Sequence, residues 1–200
     1  VSLGRTAGEA RFLDAGLAAL EYERSTFAAD EGNWPDYRDF GENSEENSPD
    51  RPAAIRHFMT TWCHGAPGIG MSRVMLRGFL DDPVLDDEID AAVRTTLRNG
   101  FGLNHSLCHG DLGNLDLLEA ALTGSERVDV LAKLGTMVAN SIRRDGWLTG
   151  IPLGIESPGL LTGIAGIGYG LLRLLDPECV PSVLMLEDPG RRMTEQSSRQ

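Results

Sequence analysis

Apolar residues recur at three- and four-residue intervals along most of this chain, the spacing of one face of a helix rather than of a strand. Phe12, Leu13, Leu17, Leu20 and Phe27 mark a helix within 9–29. Ser48-Pro49 sets a capping residue ahead of a proline suited to the first helical position, which opens a helix toward Thr61. The same reading predicts helices over 67–80, 85–98, 112–122, 125–144 and 159–175. Valine and isoleucine never fall into the strict alternation of a half-buried strand, so the expected class is all-α.

Three of these helices begin alike. Cys63-His-Gly-Ala-Pro-Gly, Cys108-His-Gly-Asp-Leu-Gly and Leu161-Thr-Gly-Ile-Ala-Gly each carry Gly-x-x-Gly ahead of an apolar run: Gly65/Gly68, Gly110/Gly113 and Gly163/Gly166. They stand roughly 45 to 53 residues apart, a period suited to a two-helix unit with its loops. Glycine inside a helix costs about 1 kcal/mol relative to alanine, so a repeated pair needs a reason. Backbones in close approach where a loop turns into its helix supply one. The pattern implies stacked helical hairpins.

Charge narrows the choice of partners. The chain carries a net −12, which argues against a nucleic-acid backbone or an anionic membrane. Between Asp30 and Asp50 eight acids face one base, Arg38, and 41–49 reads as a solvated acidic insert. No apolar run reaches the ~18–20 residues of a membrane span. The first residues lack a basic stretch followed by an apolar one, so a cytoplasmic location is expected. Three cysteines, an odd number without a secretion signal, do not suggest a disulfide framework.

Two of the three loops carry Cys-His. If equivalent loops meet at one end of the array, Cys63, His64, Cys108 and His109 converge, and a Cys₂His set suits zinc with a fourth position open. On spacing alone a second reading stands beside it: both cysteines as small buried hydrophobes. Asp111 is read as a charge at a helix start, with a bond to a ligand histidine as the rival. Asn104 and His105 are read as loop caps or cavity-lining residues. Trp62 and Trp147 are read as packing or as the border of a peptide groove. Arg73 and His57 are read as surface or helix-pairing residues, and Met71, Met75 and Tyr169 as core.

Trp62-Cys63-His64-Gly65-Ala66-Pro67-Gly68 and Asn104-His105-Ser106-Leu107-Cys108-His109-Gly110 resemble the two zinc-ligand motifs of lanthipeptide cyclases. More narrowly, they resemble the C-terminal, LanC-like cyclase domain of class II (LanM-type) lanthipeptide synthetases. Tyr22-Glu-Arg-Ser-Thr-Phe27, Gly32-Asn-Trp-Pro-Asp-Tyr-Arg38, the Gly163–Leu174 segment and Val180-Pro-Ser-Val-Leu184 extend the likeness over nearly the whole chain.

The resemblance implies an (α/α) toroid of paired helices, here its C-terminal portion over 1–187, with 188–200 as a disordered tail. It implies Zn²⁺ on Cys63, Cys108 and His109. His64, which follows the first cysteine, falls where related cyclases place a group near the reacting centre; proton transfer and loop orientation are both open to it. The implied substrate is a dehydrated precursor peptide. The implied reaction is Michael addition of a cysteine thiolate to dehydroalanine or dehydrobutyrine, giving (methyl)lanthionine rings. The family's earlier repeats and the dehydratase half of a class II synthetase are absent from this sequence. Two alternatives are a LanC-like protein that binds zinc and glutathione without forming rings, and an inactive fragment.

Overall fold

A computed structural model describes residues 1–38 and 57–188. The acidic insert 41–49, the tail from 189 onward and most of the helix expected over 48–61 lie outside the described residues. Among the described residues there are seven α-helices: α1 (Ser2–Ala7), α2 (Ala10–Thr26), α3 (Ala66–Leu76), α4 (Val84–Asn99), α5 (Asp111–Ala121), α6 (Gly124–Asp145) and α7 (Ile164–Leu175). The chain is mainly helical, as its periodicity predicts, with several corrections. α1 was not expected, and the helix expected over 67–80 ends at Leu76. Thr60–Thr61 forms a strand, β1, antiparallel to His64–Gly65, β2, where a helix was expected to end. The helix expected over 159–175 starts only at Ile164, because the preceding residues form a turn against which it packs.

The helices alternate between two layers. α3, α5 and α7 pack side by side, and α4 and α6 lie outside α3 and α5. The sequence explains the layering. α5 is buried nearly all round, Leu112, Leu115, Leu117 and Leu118 together with the polar Asp111, Asn114 and Asp116. α4 buries one stripe, Leu85, Ile89, Ala92, Val93 and Thr96, with Glu88 buried beside it, and turns Asp86 and Asp87 outward. α7 turns Ala165, Gly168, Leu172 and Leu175 to solvent, an apolar outer face.

Buried ion pairs tie the layers. Arg73 of α3, 1% exposed, meets Glu88 of α4 and Glu23 of α2. It is thus a helix-pairing residue and not a surface one. Arg173 of α7 meets Asp116 and Glu119 of α5, and Ser182 closes on Asp116. Removing one member of such a set strands a buried charge, at a cost of about 3–5 kcal/mol.

The glycine pairs do one job three times. A Cβ at Gly68, Gly113 or Gly166 would run into the carbonyl oxygen of Trp62, Leu107 or Leu160 respectively, six residues upstream. Gly65, Gly110 and Gly163, the N-caps of α3, α5 and α7, crowd Met59, Asn104 and Ser157 in the same register. Each loop therefore folds back against the first turn of its helix.

Candidate metal centre

Equivalent positions of the three loops are joined backbone to backbone. The Cys63 N–H donates to the Cys108 carbonyl at 3.2 Å, and the Cys108 N–H donates to the Leu161 carbonyl at 2.8 Å. This ladder brings two loops distant in sequence to one place and sets the third beside them.

Cys63 sits in the two-residue turn of the β1–β2 hairpin, with Thr60 opposite Gly65 and Thr61 opposite His64. The Thr61 hydroxyl donates to the His64 carbonyl and lies 3.5 Å from Cys63 Sγ. Asn33 Oδ1 accepts from the Ala66 N–H, and the Asn33 amide donates to the Met59 carbonyl, so one side chain clips both ends of the hairpin. Cys108 and His109 lie in a loop stapled by Asn104: its Oδ1 accepts from the Ser106 N–H, its amide donates to the His109 carbonyl and its own carbonyl accepts from the Asp111 N–H.

Cys63, Cys108 and His109 come together, their ligand atoms all within 4.8 Å of one another and each side chain half-buried. Burial first, then a hydrogen bond the Cys108 thiol donates to Cys63 and the negative charge of Cys63, push the Cys108 thiol up to about 11, against a smaller downward pull from Arg38. Cys108 thus keeps its proton at neutral pH unless a cation displaces it. Around a tetrahedral zinc, sulfurs about 2.3 Å and a nitrogen about 2.0 Å from the ion lie roughly 3.5–3.8 Å apart. Two thiols and an imidazole already within 4.8 Å can close to that spacing with small side-chain adjustments. The donor set fits the metal. The third loop contributes Leu161 at the cysteine position, so three protein ligands and not four are at hand.

His64 does not join this cluster. Its Nδ1 lies 3.5 Å from Asp36 Oδ2, within ion-pair distance, and its side chain is 29% exposed beside Cys63. Asp36 is buried and accepts hydrogen bonds from the Arg38 N–H, Nε and Nη2; these hold its carboxyl below the usual carboxylate range, opposed by burial. Its backbone pairs with that of His57, at 2.7 Å from the Asp36 N–H to the His57 carbonyl. His109 has a different partner. Its Nε2 lies 2.9 Å from the Gly150 carbonyl oxygen.

The other residues singled out in the sequence have structural tasks. The buried Asp111 carboxylate accepts from the Gly102 N–H at 2.8 Å and not from a ligand histidine. Burial lifts its pKa to about 6, against that hydrogen bond. His105 is fully buried: Nδ1 accepts from the Leu148 N–H and Nε2 donates to the Ser141 hydroxyl. Trp62 packs against the core, whereas Trp147 is 45% exposed. Met71 is core, Met75 partly exposed, and the Tyr169 hydroxyl donates to the Pro181 carbonyl.

Asp36 and Gly150 escaped the reading of the sequence. A buried acid in Trp34-Pro35-Asp36-Tyr37-Arg38, between two aromatic residues and just ahead of a base, was a usable signal for the first. Gly150, in an ordinary Thr-Gly turn, offered none.

The family model for lanthionine synthetase C-like protein matches residues 1–185. The chain belongs to that family. It is also 30% identical over 143 residues to the lacticin 481/lactococcin biosynthesis protein LcnDR2 of Lactococcus lactis subsp. lactis. That match covers 64% of this chain and 16% of the Lactococcus protein. Among the described residues no helix is long and apolar enough to cross a membrane.

Proposed function

We propose that this member of the family is the zinc-bearing part of a lanthipeptide cyclase, closing thioether rings in a dehydrated precursor peptide within a longer, bifunctional synthetase of the cytoplasm. One observation carries the reading: two thiols and an imidazole from separate loops lie within 4.8 Å of one another. The resemblance to a lacticin 481/lactococcin biosynthesis protein supports the peptide class.

Cys63, Cys108 and His109 would hold the zinc. Bound there, zinc supplies a Lewis acid that lowers the pKa of a thiol at its fourth position, making a nucleophile at neutral pH. With both protein cysteines ionised, their charges balance the cation, which keeps an incoming sulfur electron-rich.

The reaction forms one carbon–sulfur bond at the β-carbon of dehydroalanine or dehydrobutyrine. The π pair moves toward the neighbouring carbonyl as an enolate. The thiol gives up one proton and the α-carbon takes one. His64 stands beside Cys63 and can move that proton, since an imidazole can be tuned to the working pH. Asp36 faces Nδ1, so a proton on Nδ1 points at the carboxylate and Nε2 is left to exchange with substrate. Arg38 keeps Asp36 ionised and in place.

Elemental analysis of the purified protein tests the first half: one zinc per chain is expected, and Cys108→Ala should lose it. Retention of one zinc per chain in that variant overturns the ligand set. Ring closure on a dehydrated peptide by the full synthetase tests the second half. Zinc binding without any thioether product would leave a metal- and thiol-binding protein instead.

A further inference from the structure

Resting on the zinc reading above, we infer that Gly150 is a positioning residue of the metal centre. Its carbonyl and its lack of a side chain fix the His109 ring so that Nδ1, and not Nε2, binds the metal.

The chemistry of the hydrogen bond decides the tautomer. A carbonyl oxygen only accepts, so the 2.9 Å contact between His109 Nε2 and the Gly150 oxygen requires the ring proton on Nε2. A neutral imidazole has one such proton, which leaves the Nδ1 lone pair for a cation. A metal-binding histidine commonly has its second nitrogen held by a carbonyl or carboxylate in this way, and loss of that partner costs 10–100-fold in affinity.

The absent side chain matters as much. A Cβ at Gly150 would lie 2.7 Å from His109 Nε2, 2.8 Å from Cε1 and 2.8 Å from Ser106 Oγ. The backbone itself does not call for glycine, since Gly150 is not among the residues with positive φ. The His109 imidazole, with the Ser106 hydroxyl beside it, excludes a methyl group here.

Nor can the segment 148–150 retreat. The Gly150 N–H donates to the Thr162 carbonyl at 2.8 Å, the position in the third loop that matches His109 in the second. Two residues earlier, Leu148 exchanges hydrogen bonds with His105: the His105 N–H donates to the Leu148 carbonyl, and the Leu148 N–H donates to His105 Nδ1. His105 is in turn tied to Ser141 of α6. With 148–150 stitched to both loops, an added methyl must displace the ring.

Gly150→Ala, titrated with Co²⁺ and then with competing Zn²⁺, tests this. The expected result is a 10–100-fold loss of affinity and an altered cobalt absorption band, with an unchanged helical signal. Gly168→Ala, whose Cβ has nothing within 4 Å, should bind as the parent does. If the parent takes up no cobalt, the metal centre itself fails. If the parent binds and Gly150→Ala binds within twofold of it, the positioning role is overturned. Should Gly150→Ala not fold, the parent answers alone. Loaded with ¹¹³Cd, it should show nitrogen–cadmium coupling at His109 Nδ1, and coupling at Nε2 would overturn the inference.

Discussion

The same tripeptide, Cys-His-Gly, opens both α3 and α5, yet the two histidines end in different surroundings. In the first loop His64 faces the carboxylate of Asp36; in the second His109 faces the neutral carbonyl of Gly150. The cysteines converge because the backbone ladder places them at equivalent points. The histidines diverge because their partners come from elsewhere in the chain, one upstream of the hairpin and one after α6. A charged partner suits a ring that is to carry a proton, and a neutral one suits a ring that is to offer a lone pair. Position in a repeat sets where a side chain begins. What it does depends on the group across from it.

The widest gap between the loops should appear on exchanging each histidine for asparagine. His109→Asn should lower zinc or cobalt affinity by about 100-fold, whereas His64→Asn should leave it within twofold and slow ring closure roughly 10²-fold. Metal titration and peptide cyclisation on the same two proteins check this, and equal metal loss in both would erase the distinction.

A smaller effect tests what the loops share. Gly68→Ala and Gly113→Ala each drive a methyl into a carbonyl of the same register and should each cost about 1–3 kcal/mol in denaturant unfolding. A neutral result at one alone would show that the two turns are not equivalent.

Asp36→Asn sharpens the difference further. Ring closure should fall about tenfold with metal content unchanged, because only the proton-carrying side loses its anchor. Unaltered turnover would separate Asp36 from His64.

The smallest effect is a pH dependence at His105. Burial lowers its pKa, with Asp145 pulling the other way, and Ser141 and Leu148 fill its hydrogen bonds. The native ring stays neutral where the unfolded chain takes up a proton. Stability therefore declines as pH falls through about 6.5 and levels off once the native ring is itself protonated. His105→Gln should flatten that slope in unfolding measurements between pH 7 and pH 5.

Much of the fold was legible in the sequence. The helix expected over 85–98 is Val84–Asn99, and that over 125–144 is Gly124–Asp145, because a long amphipathic stripe signals its own period. The β1–β2 hairpin was hidden, since two residues a side are too few to show alternation. The short α1 was missed for a similar reason. The choice between a surface and a helix-pairing role for Arg73 stayed open in the sequence because its acids, Glu23 and Glu88, stand on other helices. That the two Cys-His loops meet could be read from three glycine pairs in register, whereas the choice of Cys63, Cys108 and His109 without His64 came only from the family resemblance. The contacts of Asp36 and Gly150 with their histidines were not legible, as each forms only through the tertiary fold, although the setting of Asp36 between aromatic residues and ahead of Arg38 was a signal that Gly150 lacks.

The ladder from Cys63 to Cys108 to Leu161 has a thermodynamic consequence. Backbone hydrogen bonds between loops set the spacing of the two sulfurs before any cation arrives, so capture requires little loss of chain entropy. Uptake should then look calorimetrically like docking into a rigid receptor, with a small heat-capacity change, rather than like folding around an ion.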